Sequence, residues 1–343
     1  MTMTNAVEAE GLQSQKGSFR LGPCTFVVGP RARMAIVGPS GSGKSTLLRC
    51  IAGLDRATAG VIRVHGTVVR DEHSSVPADR RGTGFVFQDG ALWPHMTAVQ
   101  HLRFAAPRMT NESARALLAR GGIEHVANRR PAEMSGGEAQ RLGLLRALAA
   151  EPKVLLLDEP LRSVDVHQRD AVVLLVRELA DERGIATILV THDRDEALAL
   201  ADEILVMREG RIVERGAAAS LLQSPKSAFA AAFLGGAACL PVERARDGFV
   251  ATPFGETPAH GDASTLRLVL MPGDIEATAT HGSGPRARAI ATVPHGDAFL
   301  VRASFRGQIV AAHAPASIRP GDELELRMRR PLRVLPWDAA SLP

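Results

Sequence analysis

The run Gly38-Pro39-Ser40-Gly41-Ser42-Gly43-Lys44-Ser45-Thr46 fits the pattern G-x-x-x-x-G-K-S/T. Glycines at 38, 41 and 43 let the backbone curl so that successive N–H groups point inward, a nest for an anion at the start of a helix. Lys44 adds a cation for the β- and γ-phosphates of a nucleoside triphosphate, Ser45 a hydroxyl for Mg²⁺, and Thr46 a hydroxyl in reach of the α-phosphate. Further on, the apolar run Val154–Leu157 ends in Asp158-Glu159-Pro160. Asp158 then stands at the C-terminal end of a buried strand, where ligands bind in such sheets, and can hold a water of the Mg²⁺ shell. Neighbouring side chains alternate, so Glu159 faces another target, the attacking water, as general base. A third string, Ser135-Gly136-Gly137-Glu138, puts a serine and two glycines at a helix start. It is a second anion nest, offset from the first, and also a Ser-x-x-Glu capping box.

These residues need a scaffold. Apolar runs at Cys24–Val28 and Met34–Val37 precede the glycine-rich loop, and Leu47, Leu48, Ile51 and Leu54 after it share one helical face. Strand, glycine-rich loop and helix in that order are the setting a phosphate loop requires. Residues 61–69 alternate as a hairpin, and Gly84–Phe87 is a short strand ending at Gln88. Helices are expected over Thr97–Ala105, Asn111–Gly121, 136–150 and 165–183, and buried strands over 153–157 and 185–190. The alternation argues for an α/β core with a parallel sheet. Residues 1–17 read as disordered or weakly ordered. After about 240 the chain turns into short strand-like pieces cut by Gly and Pro: Thr265–Met271, Ala287–Val293, Ala298–Phe305, Gln308–Ala312 and Glu323–Arg329. That pattern is a small all-β domain.

Composition bounds the function. At 343 residues the chain has room for two domains. The net charge is +4, but its arginines are scattered and make no long basic block, so nucleic acid is not the expected partner. Cys24, Cys50 and Cys239 lie far apart and read as small buried hydrophobes in a reduced compartment. The N-terminus, with Glu8 and Glu10, is not a secretory signal. The nearly apolar run 228–242 is too short to span a bilayer and holds Gly235-Gly236. The expectation is a soluble protein that reaches a membrane only through a partner. The remaining histidines, among them His95, His101, His125 and His313, show no paired metal-ligand spacing.

Taken together, residues 18–235 resemble the ATP-binding cassette family, the ATPase subunits of ABC transporters. The resemblance implies an α/β P-loop NTPase fold with a helical subdomain over about 89–150, and ATP and Mg²⁺ as cofactors. It implies that Ser135-Gly136-Gly137-Glu138, followed by Gln140-Arg141, is the signature loop that contacts the γ-phosphate of ATP on the opposite subunit. It further implies that Gln88 reaches Mg²⁺ and couples to the membrane subunit. Asp165 touches the partner's phosphate loop, and His192 is the switch histidine on the γ-phosphate. The catalytic set is then Lys44, Gln88, Glu159 and His192, and the metal set Ser45, Gln88 and Asp158. His192 follows a buried strand and precedes Asp193-Arg194-Asp195-Glu196, which looks like another capping box.

The C-terminal part, 240–343, resembles the OB-like regulatory domain of importer ATPases, through Met271-Pro-Gly-Asp-Ile275, Arg319-Pro-Gly-Asp-Glu-Leu324 and Leu332-Arg-Val-Leu335. Residues 92–97 resemble importers for sugars, iron, polyamines and oxyanions. The implied function is the ATP-hydrolysing subunit of a bacterial importer, a homodimer at the cytoplasmic face of the cell membrane. Its partners would be integral permease subunits and, indirectly, a solute-binding protein. A soluble non-transport ABC ATPase, or a regulatory protein with weak hydrolysis, is the alternative. Four departures stand out. The chain has no tyrosine, and Gly11–Lys16, where a ring should stack on adenine, has no aromatic residue, leaving Phe19 nearest. Arg162-Ser163-Val164 replaces the usual Ser-Ala-Leu, and Met134 and Glu138 replace Leu and Gln. The stretch between Gln88 and Ser135 is short.

Overall fold

The computed structural model describes residues 4–162, 164, 166–259, 261–262, 264–278, 284–296, 298–315 and 318–338. The chain divides into two compact units, 1–218 and 219–343.

The first unit runs β1 (Val7–Lys16), β2 (Phe19–Val28), β3 (Arg33–Val37), α1 (Lys44–Ala52), β4 (Ala59–Val64), β5 (Thr67–Arg70), β6 (Thr83–Val86), α2 (Ala98–Ala105), α3 (Asn111–Arg120), α4 (Gly136–Ala149), β7 (Val154–Asp158), α5 (Val166–Arg183), β8 (Ala186–Thr191), α6 (Arg194–Leu200), β9 (Glu203–Arg208) and β10 (Arg211–Ala217). A six-stranded sheet has the order β10-β9-β3-β8-β7-β6, and a four-stranded antiparallel sheet the order β2-β1-β4-β5. Strands β9, β3, β8, β7 and β6 are mutually parallel. Every residue of β7 and of β8 is buried, as expected of strands covered on both faces. The core joins Leu12 and Phe26 of one sheet, Leu47, Leu48 and Ile51 of α1, and Ile36, Leu156 and Ile188 of the other. Each such side chain contributes about 1.5–3 kcal/mol on burial.

One expectation fails at the N-terminus. Residues 7–16 form a full strand, with Val7, Ala9, Leu12 and Ser14 turned inward. β1 is hydrogen-bonded on both sides, to β2 and β4, so its backbone is satisfied although its outward face is polar. The helices α2, α3 and α4 pack on one another in the stretch expected to be helical. Each starts at a side-chain cap: Thr97 with Gln100, Thr110 with Ser113, and Ser135 with Glu138.

A second correction concerns the boundary, expected near 235–240. Beyond α7 (Ala218–Gln223), α8 (Ala228–Gly235) belongs to the second unit. Its Ala228 and Ala231 bury against Cys239 and Val269, and Phe229 meets Trp337 edge-on at 5.8 Å. The strands there are β11 (Ala238–Pro241), β12 (Glu243–Arg246), β13 (Phe249–Thr252), β14 (Gly255–Pro258), β15 (Leu266–Leu270), β16 (Ile275–Thr278), β17 (Arg286–His295), β18 (Ala298–Phe305), β19 (Gln308–Ala314), β20 (Glu323–Met328) and β21 (Arg333–Pro336). A closed five-stranded barrel, β16-β19-β18-β17-β20, carries the strand count of an OB fold. Two three-stranded sheets, β11-β15-β21 and β12-β13-β14, complete the unit. All three cysteines are buried and free, and burial raises the Cys24 thiol to about 12. Among the described residues no helix is long and apolar enough to cross a membrane.

Candidate functional site

Register brings the chemistry together. Val37 of β3 is level with Thr191 of β8, and Asp158 of β7 with Val190. The loops that follow these three adjacent strands therefore emerge at one edge, the C-terminal edge, where parallel sheets bind ligands.

After β3 the chain curls through the glycine-rich loop. A Cβ on Gly38 would lie 2.1 Å from the Met207 carbonyl oxygen, so only glycine fits there. Gly43, with φ +99°, opens α1 in the left-handed region. Lys44 is buried, and its ammonium donates to the carbonyls of Gly38 and Pro39, each at 2.9 Å. Desolvation lowers its pKa, against the pull of Glu159 and Asp158. Ser45 Oγ donates to Asp158 Oδ1 at 2.7 Å. Asp158 is only 6% exposed, and desolvation raises its carboxyl pKa despite that hydrogen bond. A buried carboxylate bonded to a hydroxyl is a hard oxygen donor pair that fits Mg²⁺.

Glu159 leaves the strand with φ +46°, a conformation that costs a non-glycine residue about 1–2 kcal/mol. Its N–H donates to the Val190 carbonyl at 2.9 Å, which ties the turn to β8. Its Oε1 lies 3.1 Å from His192 Nδ1, and Oε2 lies 3.8 Å from Arg162 Nη1. Both carboxylate oxygens are thus engaged. A cavity of about 450 Å³ joins Ser40, Gly41, Gly43, Lys44, Ser45, Thr46 and Glu159 to Lys16 and Phe19. A second, of about 350 Å³, lies beside it and is walled by Ser40, Glu159, Arg162, His192 and Glu196.

The profile of the ABC transporter family matches residues 21–162. The Fe(3+) ions import ATP-binding protein FbpC of Pseudomonas fluorescens is 41% identical over 259 residues, covering 74% of this chain and 73% of that one. The chain belongs to the family of ABC transporter ATP-binding proteins. A second relative, Fe(3+) ions import ATP-binding protein FbpC 2 of Rhodococcus jostii, is 40% identical over 290 residues, 82% of each chain. The solved dimeric post-hydrolysis state of the ATP-binding cassette MJ0796 bound to ADP and Pi aligns with TM-score 0.55 and 27% identity, covering 62% of this chain and 98% of that one. The first unit is therefore an ABC ATPase core that binds and hydrolyses ATP.

In this ABC ATPase the Ser135–Glu138 loop does not line the cavity around Lys44. It caps α4: Ser135 Oγ accepts from Glu138 N at 3.3 Å, and Glu138 Oε2 accepts from Ser135 N at 2.7 Å. His125 Nε2 sits 2.6 Å from Glu138 Oε1. Acceptance from the Ser135 backbone, then His125, holds the Glu138 carboxyl down at about 2. Gln88 is half-buried two residues past β6 and lines neither cavity. Asp165 lies outside the described residues.

Two neighbours of the site escaped sequence reading. Lys16 stands in a stretch noted only for lacking a ring. Glu196 accepts from Thr191 Oγ1 at 2.6 Å beside the His192 loop, and burial raises its carboxyl to about 7. No spacing rule marks Lys16, and the capping-box spacing marks Glu196 only as a helix-start residue; the packing of β1 and α6 puts both there. Asp193 caps α6, accepting from the N–H groups of Asp195 and Glu196, but the Asp193 N–H goes to Thr191 Oγ1 and not to Glu196, so the expected capping box is only half formed.

Proposed function

We propose that this ABC ATPase is the energising subunit of a bacterial solute importer, working as a homodimer at the cytoplasmic face of the membrane. Support comes from its relatives, named for Fe(3+) import and aligned over up to 82% of the chain, which reaches well into the second unit. The single observation that carries the mechanism is the meeting of Lys44, Ser45, Asp158, Glu159 and His192 at one sheet edge.

On this reading Lys44 exchanges its loop carbonyls for the β- and γ-phosphate oxygens of ATP, while the N–H groups of residues 38–46 cradle the chain of phosphates. Ser45 and Asp158, with Gln88, would hold Mg²⁺, which when bound would supply positive charge to the phosphates. Glu159 accepts the proton of the attacking water, and His192, bonded to its Oε1, fixes the carboxylate and then meets the γ-phosphate. Ser135, Gly136, Gly137 and Glu138 of a second copy close on that phosphate, with Asp165 at the same contact. The absence of Ser135, Gly136, Gly137 and Glu138 from the cavity of their own chain accords with such sharing.

The permease would dock near the loop after Gln88. There Phe104, 59% exposed, meets Trp93 at 4.7 Å, and Trp93 lies over the Arg146 guanidinium. Fully buried His101 accepts from Trp93 N and bonds the Thr97 carbonyl, which fixes that loop. Exposed aromatic surface on a pinned loop suits a protein partner. A solute-binding protein would act through the permease. The test is co-purification with membrane subunits encoded beside it, together with Glu159→Gln. The variant should trap an ATP-bound dimer that the wild type forms only transiently. A Glu159→Gln protein that hydrolyses ATP normally would end the mechanism.

A further inference from the structure

The second cavity carries a carboxyl group that the proposed mechanism leaves idle. Glu196 stands in the first turn of α6, on a wall it shares with Glu159 and His192. α6 packs on β3, β8 and α5, so Glu196 is mounted on a fixed element. His192 is not. Its side chain is 57% exposed on the loop before that helix, and it reaches Glu159 Oε1 across 3.1 Å.

Helix capping does not explain where Glu196 points. Asp193 already supplies the cap, accepting from the N–H groups of Asp195 and Glu196. A glutamate three residues after the cap completes the box by accepting from the cap residue's own N–H. Turned outward in that way, Glu196 would keep its hydration. Instead its Oε2 accepts from Thr191 Oγ1 at 2.6 Å, and its Oε1 is buried with no hydrogen-bond partner among the described residues. A polar oxygen buried in that state costs free energy. Burial raises the carboxyl to about 7, so the uncharged acid is well populated near neutral pH.

The bond to Thr191 bears on His192. A hydroxyl has one proton. Given to Glu196, it leaves the Thr191 lone pairs for the Asp193 N–H, which donates to them at 3.0 Å. The residues on either side of His192 are thereby joined across it, and Glu196 sets the direction of the join. Without that acceptor the hydroxyl is free to turn, and the loop loses its tie to α6.

We infer that Glu196 is a positioning residue for ATP hydrolysis, holding through the Thr191 hydroxyl the loop that brings His192 to Glu159 and the γ-phosphate. The inference rests on His192 acting in that reaction.

The experiment measures phosphate release, and equilibrium dialysis of ATP without Mg²⁺, on the full-length protein. The proteins are wild type, Glu196→Ala, Glu196→Gln, Thr191→Val, the double variant Glu196→Ala with Thr191→Val, and His192→Ala. Glu196→Ala should lower kcat about tenfold, the scale of one hydrogen bond, with ATP affinity within about twofold of wild type. Thr191→Val should match it, and the double variant should be no worse than either, because both changes break one link. Glu196→Gln, whose carbonyl still accepts from Thr191, should keep kcat within about threefold of wild type. Unchanged turnover in Glu196→Ala, equal losses in the Gln and Ala variants, additive losses in the double variant, or a matching loss of ATP affinity would each overturn the inference. His192→Ala tests the underlying reading separately: normal hydrolysis there would remove His192 from the reaction, whatever Glu196 does.

Discussion

The chain builds two glycine-rich helix starts, at Lys44 and at Ser135, and they differ in what surrounds them. The first sits at the edge of a parallel sheet, with a buried lysine, a desolvated Asp158 and a cavity of about 450 Å³. The second is exposed at Ser135 and Gly136, and its free backbone is satisfied by its own Glu138. Both present N–H groups to an anion. Only the first also brings carboxylates and a histidine from neighbouring strands. A helix start thus becomes a reaction site when the sheet delivers other groups to it. The second has, within its own chain, the chemistry of a cap.

Breaking the first site should have the largest effect. Glu159→Gln should lower kcat about 10²–10⁴-fold with nucleotide affinity retained, measured by phosphate release and equilibrium dialysis. Equal loss in both would assign Glu159 to binding. Breaking the second site should separate binding from turnover. Ser135→Arg should leave nucleotide binding by the monomer intact and lower turnover about 10²-fold, the scale of a lost oxyanion donor. Normal hydrolysis by this variant would show that the first site is complete within one chain. Mixed assemblies sharpen the point, because a Ser135→Arg subunit should disable the wild-type subunit across from it.

Smaller effects test the supports. Glu138 has its folded-state pKa held at about 2, against an ordinary 4.5. Because the folded value is depressed, its stabilisation is complete above 4.5 and is lost as pH falls toward 2. Thermal unfolding over that range should show a weaker pH dependence in Glu138→Gln than in wild type. The smallest effect belongs to Arg162. Its contact with Glu159 is 3.8 Å long and its side chain is 60% exposed, so Arg162→Ser should change kcat by less than about fivefold. A larger change would make Arg162 part of the first site.

The motifs carried most of this comparison. Lys44, Ser45, Asp158 and Glu159 were legible because each element around them has a strong local signal: an apolar strand, a glycine turn, an amphipathic helix. The strands β15 and β17 to β20 were legible from spacing alone. β1 was not, because a strand paired on both sides tolerates polar outward positions that look like a tail. α8 was legible only as an apolar run, and its allegiance to the second unit depends on Val269 and Trp337, far along the chain.

Residue types and their spacing determined by themselves that the chain cradles phosphate, places carboxylates after a buried strand and caps α4 with Glu138, since these are local relations of a few residues. The tertiary structure alone decided that His192 and Arg162 hold Glu159, that Lys16 and Phe19 join the cavity wall, and that the Ser135 loop does not line it. The meetings of His192 with Glu159 and of the β1–β2 hairpin with the phosphate loop follow from strand order and register, which join residues far apart in the chain, whereas Arg162 reaches Glu159 from three residues on through the turn that follows β7.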